Sequence, residues 1–185
     1  AGAELGALLR GDVLDVAPRL LACDLSTRRD GTRVTVRLNE VEAYDGAKDP
    51  ASHAYRGRTE RTAPMFGPPG TVYVYRSYGI HWCANIVVGP MGQAAAVLLR
   101  GGELVVGREI AELRRGRTND LTNGPGKLCE ALAITGDDSG TLLGEGILLE
   151  PRPPPAGTWV RSSPRIGISK ATDRPWRFTL EQASA

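Results

Sequence analysis

The segment Asn39-Glu-Val-Glu-Ala-Tyr44 places two carboxylates, Glu40 and Glu42, near the end of a run of alternating residues. Because the side chains of a strand alternate between its two faces, these two carboxylates are expected on the same face. A carboxylate that projects from a rigid strand into a cleft can act as a general base. Glu42 is therefore a candidate general base, and a carboxylate pair and an ordinary solvated strand end are the alternatives that the residues leave open.

Tyrosines are concentrated in one short segment of a chain that contains only 5% aromatic residues. Tyr73 and Tyr75 lie on one predicted strand and share a face, whereas Tyr78 falls at the turn that follows. An exposed aromatic ring at the tip of a hairpin is a candidate wedge between stacked bases. The alternatives are two core tyrosines with one surface ring, or a stacking platform for single-stranded nucleic acid.

Three further polar residues stand out by position. His53 is one of only two histidines and lies in a predicted loop, while Asn85 and Arg100 lie on predicted strands among apolar neighbours. A polar side chain in such a strand needs either a partner or a function. No His or Cys spacing typical of a metal site occurs, and Walker A and GxSxG motifs are absent from the sequence. We therefore expect no metal and no cofactor.

The basic residues are mostly arginines, although the net charge is only +2. Arg56, Arg58 and Arg61 form one short cluster in the sequence. Arginine suits planar, bidentate contact with phosphate, but composition alone favours solvated surface loops over a nucleic-acid contact. No apolar run approaches the roughly 18 residues of a membrane helix, and the three cysteines lack metal-site spacing. The sequence thus predicts a cytoplasmic protein with reduced thiols and no membrane contact.

These residues need a scaffold, and 185 residues suffice for one domain, which we assign to residues 1–185 with disorder allowed over 1–11. Asp30-Gly31 between alternating segments predicts a hairpin, and a second hairpin is expected to turn at Ser77-Tyr78-Gly79. Further elements are predicted as helices at 15–22 with Asp15 as the N-cap, at 104–115 and from 123 onward, and as strands at 95–100, 147–149, 165–169 and 176–180. Because helices and strands do not alternate regularly, the fold class is α+β, a single mixed domain around a curved antiparallel sheet with a protruding hairpin.

The segment from Asp45 to Gly70 has no periodic pattern and is rich in Gly, Pro and Arg. A loop of this length inside a compact domain is usually functional. We therefore expect part of the site to lie in this loop.

Six motifs in a fixed order together resemble the alkyladenine (3-methyladenine) DNA glycosylase family, as a bacterial-type member. They are Glu40-Val-Glu42-Ala-Tyr44, His53, the segment Gly70 to Gly79, Cys83-Ala-Asn85, Val97-Leu-Leu-Arg100, and the segment Gly124 to Leu132. Each motif is short, but the likeness runs from about Asp12 to Phe178. The resemblance implies a monofunctional DNA glycosylase of base excision repair, which flips a damaged purine out of the duplex and hydrolyses its glycosidic bond.

The resemblance also implies two catalytic residues. Glu42 corresponds to the general base that deprotonates the attacking water, and Arg100 to the residue that holds this water or stabilises the charge around it. Without a lysine at a known catalytic position, strand-cleaving lyase activity is not expected.

The base pocket implied by the resemblance contains Tyr44, His53 and Tyr75, which would sandwich the flipped base. Asn85 would form the floor and disfavour the exocyclic amino group of normal guanine. Tyr78 would fill the gap left in the duplex. Electron-rich rings favour a cationic alkylated purine by about 0.5–2 kcal/mol.

Contacts with the DNA backbone are assigned to Arg56, Arg58, Arg76 and Lys127. Arg76 and Ser77 depart from the family pattern, since some members have aliphatic residues there, so Arg76 is either a phosphate contact or a solvated side chain. The expected partner is double-stranded DNA containing damaged purines, bound by a monomer at the nucleoid. The alternative functions are an inactive damage-recognition module and a single-strand binder.

Overall fold

The computed structural model describes residues 2–184. Its helices are α1 (Gly2–Leu9), α2 (Val13–Arg19), α3 (Arg108–Arg115) and α4 (Pro125–Leu132), and its strands are β1 (Asp24–Arg29), β2 (Thr32–Asp45), β3 (Val72–Ser77), β4 (His81–Val88), β5 (Ala95–Val106), β6 (Ile147–Glu150), β7 (Thr158–Ser163) and β8 (Arg177–Gln182). All paired strands are antiparallel. The α+β class predicted from the sequence is confirmed.

The long strand β2 organises the curled sheet, whose main path runs β3-β4-β5-β2-β1-β6. The first half of β2 pairs with β1 through a turn at Asp30 and Gly31, which both have positive φ, as the Asp-Gly prediction requires. After Arg37, where the pairing with β1 ends, β8 takes the place of β1 and pairs with Glu40 to Glu42. Glu42 is therefore flanked by strands on both sides.

The two faces of the sheet have different roles. Val41 and Ala43 of β2 point into the main core, together with alternate apolar residues of β3, β4 and β5. Tyr73 and Ala96 belong to a smaller apolar cluster on the opposite face. Because side chains alternate along a strand, Glu42 lies on that second face, where the site is built.

Two irregularities interrupt the β2–β5 pairing next to Glu40. Leu38 pairs with Gly102 and Glu40 with Gly101, so Asn39 is an extra residue on β2. Glu40 then pairs with Gly101 and Val41 with Leu99, so Arg100 is an extra residue on β5. Bulges of this kind redirect side chains and are common beside active sites.

The N-terminal segment differs from its prediction. We allowed disorder over residues 1–11, but Gly2–Leu9 form α1, and Leu9 packs in the main core at 3% exposure; Ala1 lies outside the described residues. The next helix begins earlier than expected, because Asp12, not Asp15, is the N-cap and accepts a hydrogen bond from the Leu14 amide.

Two other element assignments are wrong. The predicted helix at 104–115 begins only at Arg108, because β5 continues to Val106 and Gly107, with a φ of +84°, turns the chain. The predicted strand at 165–169 is a loop, while β7, which the sequence analysis missed, pairs with β8. Among residues 2–184, no helix has the length and hydropathy needed to cross a membrane.

Candidate active site

One cavity of about 430 Å³ opens on the second face of the sheet. This volume lies within the range of small-molecule sites and can hold a purine base. Four strand residues that were expected in the site line the cavity: Tyr44, Tyr75, Asn85 and Arg100. The loop 45–70 contributes four more lining residues: Pro50, Ala51, His53 and Met65. The predicted functional loop therefore forms part of this cavity.

Glu42 is fully buried directly behind the cavity wall. Its Oε1 accepts a hydrogen bond from the Tyr44 hydroxyl at 2.8 Å, and its Oε2 accepts one from the Ile166 amide at 2.8 Å. Tyr44 and Ile166 both line the cavity, as does Arg100, whose Nη1 lies 3.6 Å from Glu42 Oε1. Since a carboxylate has about four acceptor positions, Glu42 retains capacity to accept a proton-donating water.

Glu40 and Arg100 form the second layer of this cluster. Arg100 Nε donates to Glu40 Oε1 at 2.8 Å, and Arg177 Nε donates to the same oxygen at 2.8 Å. Burial opposes ionisation of Glu40, but the hydrogen bonds from Arg177 and Arg100 outweigh it and hold its pKa below the usual range. The Arg100 guanidinium contacts both carboxylates, Glu40 at 2.8 Å and Glu42 at 3.6 Å, and so links the two.

Aromatic rings form one wall of the cavity. The His53 and Tyr75 rings meet edge to face at 4.3 Å between centroids, and Tyr73 lies 5.7 Å from Tyr75. Burial raises the pKa of both Tyr75 and Tyr44, so both phenols are neutral near pH 7. The resulting wall is apolar and electron-rich, as stacking against a base requires.

His53 is exposed to solvent on one side and packed against these rings on the other. Its Nδ1 lies 3.1 Å from the Tyr73 hydroxyl. Partial burial, together with the positive charge of Arg61, lowers the pKa of His53, which favours a neutral imidazole. A neutral imidazole has one donor and one acceptor nitrogen, so it can contact the edge of a base.

Asn85 is buried at 5% exposure and lines the cavity. Its Nδ2 donates to the Tyr73 carbonyl at 3.1 Å, which fixes the orientation of the amide. Cys83, two residues earlier on β4, also lines the cavity as a buried free thiol, and burial raises its pKa. The three cysteines are all buried and free, as expected.

A buried ion pair fixes the loop that supplies Ile166. The Arg165 guanidinium contacts both oxygens of Asp49 and donates to the Ala43 carbonyl at 2.9 Å. It lies 4.6 Å from the centroid of the Tyr44 ring and 5.0 Å from that of Trp176. Burial disfavours the Asp49 anion, but the hydrogen bonds from Arg165 hold its pKa below the usual value.

The turn between β3 and β4 carries Tyr78, which is 90% exposed. Tyr78 and Gly79 have φ values of +51° and +65°, as the central residues of a type I′ hairpin turn do. Tyr78 also lines the mouth of the cavity. The turn end of the hairpin packs against α4, because a Cβ on Gly126 would lie 2.8 Å from the Cβ of His81.

The predicted backbone contacts have different surroundings. Arg56 and Arg58 are exposed and form no hydrogen bond or ion pair with another residue in 2–184. The Arg76 guanidinium lies 5.0 Å from the Trp82 ring, and the Lys127 ammonium pairs with Asp120. Of these four residues, only Arg56 and Arg58 have no side-chain partner in the part of the chain that the structure describes.

The segment from Arg165 to Lys170 also contributes to the cavity, which no local sequence signal predicts. Ile166, Gly167, Ile168, Ser169 and Lys170 all line the cavity. Their alternating pattern was interpreted as a strand, and no local signal indicated that Arg165 would be buried against Asp49. Over residues 2–184, no group of His, Cys, Asp and Glu has an arrangement that could hold a metal ion.

Comparisons with known proteins agree with one another. The model of the methylpurine-DNA glycosylase family matches residues 7–184. Similar curated proteins come from Frankia casuarinae, 52% identical over 182 residues (91% of this chain, 84% of that protein), from Cutibacterium acnes, 44% over 185 residues (94% of each), and from Nocardia farcinica, 49% over 180 residues (91% and 83%). Each is named "Putative 3-methyladenine DNA glycosylase".

Proposed function

This chain belongs to the methylpurine-DNA glycosylase family and is a DNA glycosylase of DNA repair, and we propose that it flips damaged purines from duplex DNA and hydrolyses their glycosidic bond with a water activated by Glu42. The family predicted from the sequence motifs is confirmed. The observation that carries the proposed mechanism is the buried Glu42 carboxylate beside Arg100, directly behind a cavity with aromatic walls.

The proposal begins with extrusion of the damaged base. A purine within the duplex is inaccessible, and its removal from the stack costs a few kcal/mol. Tyr78 supports a wedge role because its ring is 90% exposed on a hairpin turn beside the cavity mouth. Stacking of bases on aromatic rings returns roughly 1–3 kcal/mol per base, so Tyr78 in the gap and Tyr75 in the cavity offset the extrusion.

Lesion selection is assigned to the cavity wall. An alkylated purine with a positive charge gains about 0.5–2 kcal/mol from the faces of electron-rich rings such as Tyr44 and Tyr75. The neutral His53 adds no repulsion to this cation. Asn85, whose amide is fixed by the Tyr73 carbonyl, would exclude normal guanine at the floor.

Hydrolysis then follows with a balanced transfer of atoms. The oxygen of a water attacks C1′ of the sugar, the bond from C1′ to the base nitrogen breaks, and its electron pair leaves with the base. One proton of the water passes to Glu42, and Arg100 Nη1 orients the water, which lies beside the pair because the 3.6 Å between Nη1 and Glu42 Oε1 leaves no room for it on the line that joins them. The 3.6 Å separation of these atoms is long for a direct hydrogen bond and allows both to contact one water.

Water must still reach Glu42, because its side chain is fully enclosed. The exposed residues after Arg165 form the outer part of this enclosure. We propose that entry of the flipped base displaces Ile166 to Lys170 enough to admit the attacking water.

One assay on duplexes with a single hypoxanthine, 1,N6-ethenoadenine or 7-methylguanine tests this function. Excision leaves an abasic site, so strand breaks at the lesion should appear only after treatment with alkali. Breaks before alkali would contradict the monofunctional assignment, and Lys170 in the cavity wall makes this a real alternative. Binding without breaks on every lesion would instead indicate a damage-recognition module.

The same preparations test the proposed partner. We propose that the protein acts as a monomer on duplex DNA at the nucleoid. Recognition of duplex DNA predicts higher affinity for a lesion duplex than for the corresponding single strand. A preference for single strands with indifference to lesions would support the stacking-platform alternative.

A further inference from the structure

We propose that Glu40 is a positioning residue, which holds Arg100 beside the Glu42 carboxylate and keeps their 3.6 Å ion pair from closing into a direct hydrogen bond. This inference rests on the proposed function, because it assigns a role in the activation of water by Glu42. The sequence resemblance implies no role for Glu40.

The hydrogen bonds at Glu40 fix one edge of the Arg100 guanidinium. Arg100 donates from Nε to Glu40 Oε1 at 2.8 Å, whereas its Nη1 lies 3.6 Å from Glu42 Oε1, beyond a direct hydrogen bond. Arg177 donates to the same oxygen of Glu40 and is itself held by Ser163 at 3.1 Å. Glu40 therefore has a fixed position from which it holds Arg100.

The backbone explains why Arg100 needs such a partner. Arg100 is the extra residue of a bulge on β5, opposite the step from Glu40 to Val41. A residue in a bulge is outside the regular alternation, so the sheet alone does not determine where its long side chain points. The same pairing places Glu40 on β2 close enough to accept the Nε hydrogen.

Without Glu40, Arg100 has a competing partner. A guanidinium matches a carboxylate through two parallel hydrogen bonds, and this arrangement is stronger than a single contact. Glu42 is the next carboxylate, and the remaining distance is small. Closure of Arg100 onto Glu42 would occupy the lone pairs that the attacking water requires.

The charges of Glu40, Glu42, Arg100 and Arg177 are balanced. Glu40 and Glu42 provide two carboxylates, and Arg100 and Arg177 provide two guanidinium groups. Loss of the Glu40 charge leaves Glu42 as the only carboxylate facing Arg100. The attraction that draws Arg100 onto the base therefore increases.

The experiment measures single-turnover excision from a lesion duplex by Glu40→Gln, in the wild-type and Arg100→Ala backgrounds. Misplacement of a catalytic group by about 1 Å reduces rates on the order of 100-fold, so we expect a loss of roughly 10- to 100-fold in the wild-type background, with unchanged affinity for the lesion duplex. In the Arg100→Ala background Glu40→Gln should cause no further loss, because residues that act through one another are not additive.

Asp24→Asn is the matched control. Asp24 also accepts from two arginine Nε atoms, Arg37 at 2.9 Å and Arg152 at 3.0 Å, but does not line the cavity. It should leave the excision rate unchanged. If Glu40→Gln does not fold, Glu40→Asp, shorter by one methylene, should fold and excise at a reduced rate.

Two results would overturn the inference: an unchanged rate for the folded Glu40 variant, or an equal loss in both backgrounds, which would mean that Glu40 does not act through Arg100. These results are distinguishable from failure of the proposed function, because in that case the wild-type protein itself would release no base.

Discussion

The buried polar residues behind the cavity, Glu42 and Asp49, have surroundings opposite to those of the turn at the tip of the β3–β4 hairpin. Glu42 is fully buried with a donor on each oxygen, and Asp49 is fully buried against Arg165. Tyr78, by contrast, is 90% exposed. Groups assigned to the chemistry are thus held in place by the fold, whereas the group assigned to the duplex has few contacts with it. Substitutions in the two regions should therefore affect different properties.

The largest expected effect on stability is at the buried ion pair. Asp49→Ala leaves the charge of Arg165 buried without its partner, which costs about 3–5 kcal/mol of unfolding free energy. At roughly 2–4 °C per kcal/mol for a chain of this size, thermal unfolding should show Tm lowered by roughly 6–20 °C. Asp120→Asn, which removes the exposed pair with Lys127, is the control and should change Tm little. Equal losses of Tm in Asp49→Ala and Asp120→Asn would contradict the difference proposed between buried and exposed polar groups.

A smaller effect, confined to DNA, is expected at the turn. Tyr78→Ala removes one stacking ring, worth about 1–3 kcal/mol, and should weaken binding to a lesion duplex by roughly 5- to 150-fold. Its Tm should be unchanged, because the side chain packs against little of the protein. Leu113→Ala, an exposed apolar residue on α3, is the control and should leave binding unaltered. Undiminished affinity of Tyr78→Ala for lesion DNA would contradict the wedge assignment.

The smallest effect concerns His53, which lines the cavity and contacts the Tyr73 and Tyr75 rings. Its pKa is lowered in the folded protein, so below the ordinary histidine value of about 6.5 the unfolded chain binds a proton that the folded chain does not. Stability should therefore fall as pH decreases through this window, by less than about 1.4 kcal/mol per pH unit, and weakly because the ring is partly exposed.

Denaturant unfolding between pH 7 and pH 5 measures this effect. His53→Gln should flatten the pH dependence, whereas the same dependence should persist in His81→Gln. An unchanged dependence in His53→Gln would show that a different group is responsible.

The two regions also differ in how far sequence could predict them. The hairpin and its exposed Tyr78 follow from local signals: alternation on both sides of a Tyr-Gly turn, and an aromatic residue where no core position exists. The cluster depends on contacts between distant segments. Arg165 meets Asp49 across 116 positions, and the bulge at Arg100 arises only when β5 pairs with β2. No local pattern encodes either contact.

The errors in the fold have related causes. Residues 165–169 alternate like a strand, but Arg165 is drawn into the interior by Asp49, and the chain continues as a loop over the cavity. The helical periodicity at 104–115 extended too far because tertiary pairing keeps Leu104 in β5. The role proposed for Glu40 could not be predicted, since it depends on the position of two arginine side chains.

The proposed activation of water by Glu42 is tested by single-turnover excision with Glu42→Gln, which keeps the size of the side chain and removes its capacity to take a proton. The exposed Glu103→Gln serves as the matched control. We expect Glu42→Gln to bind the lesion duplex as the wild-type protein does and to excise the base about 10²- to 10⁴-fold more slowly, with Glu103→Gln unaffected. Excision by folded Glu42→Gln at the wild-type rate would contradict the account and place the base elsewhere.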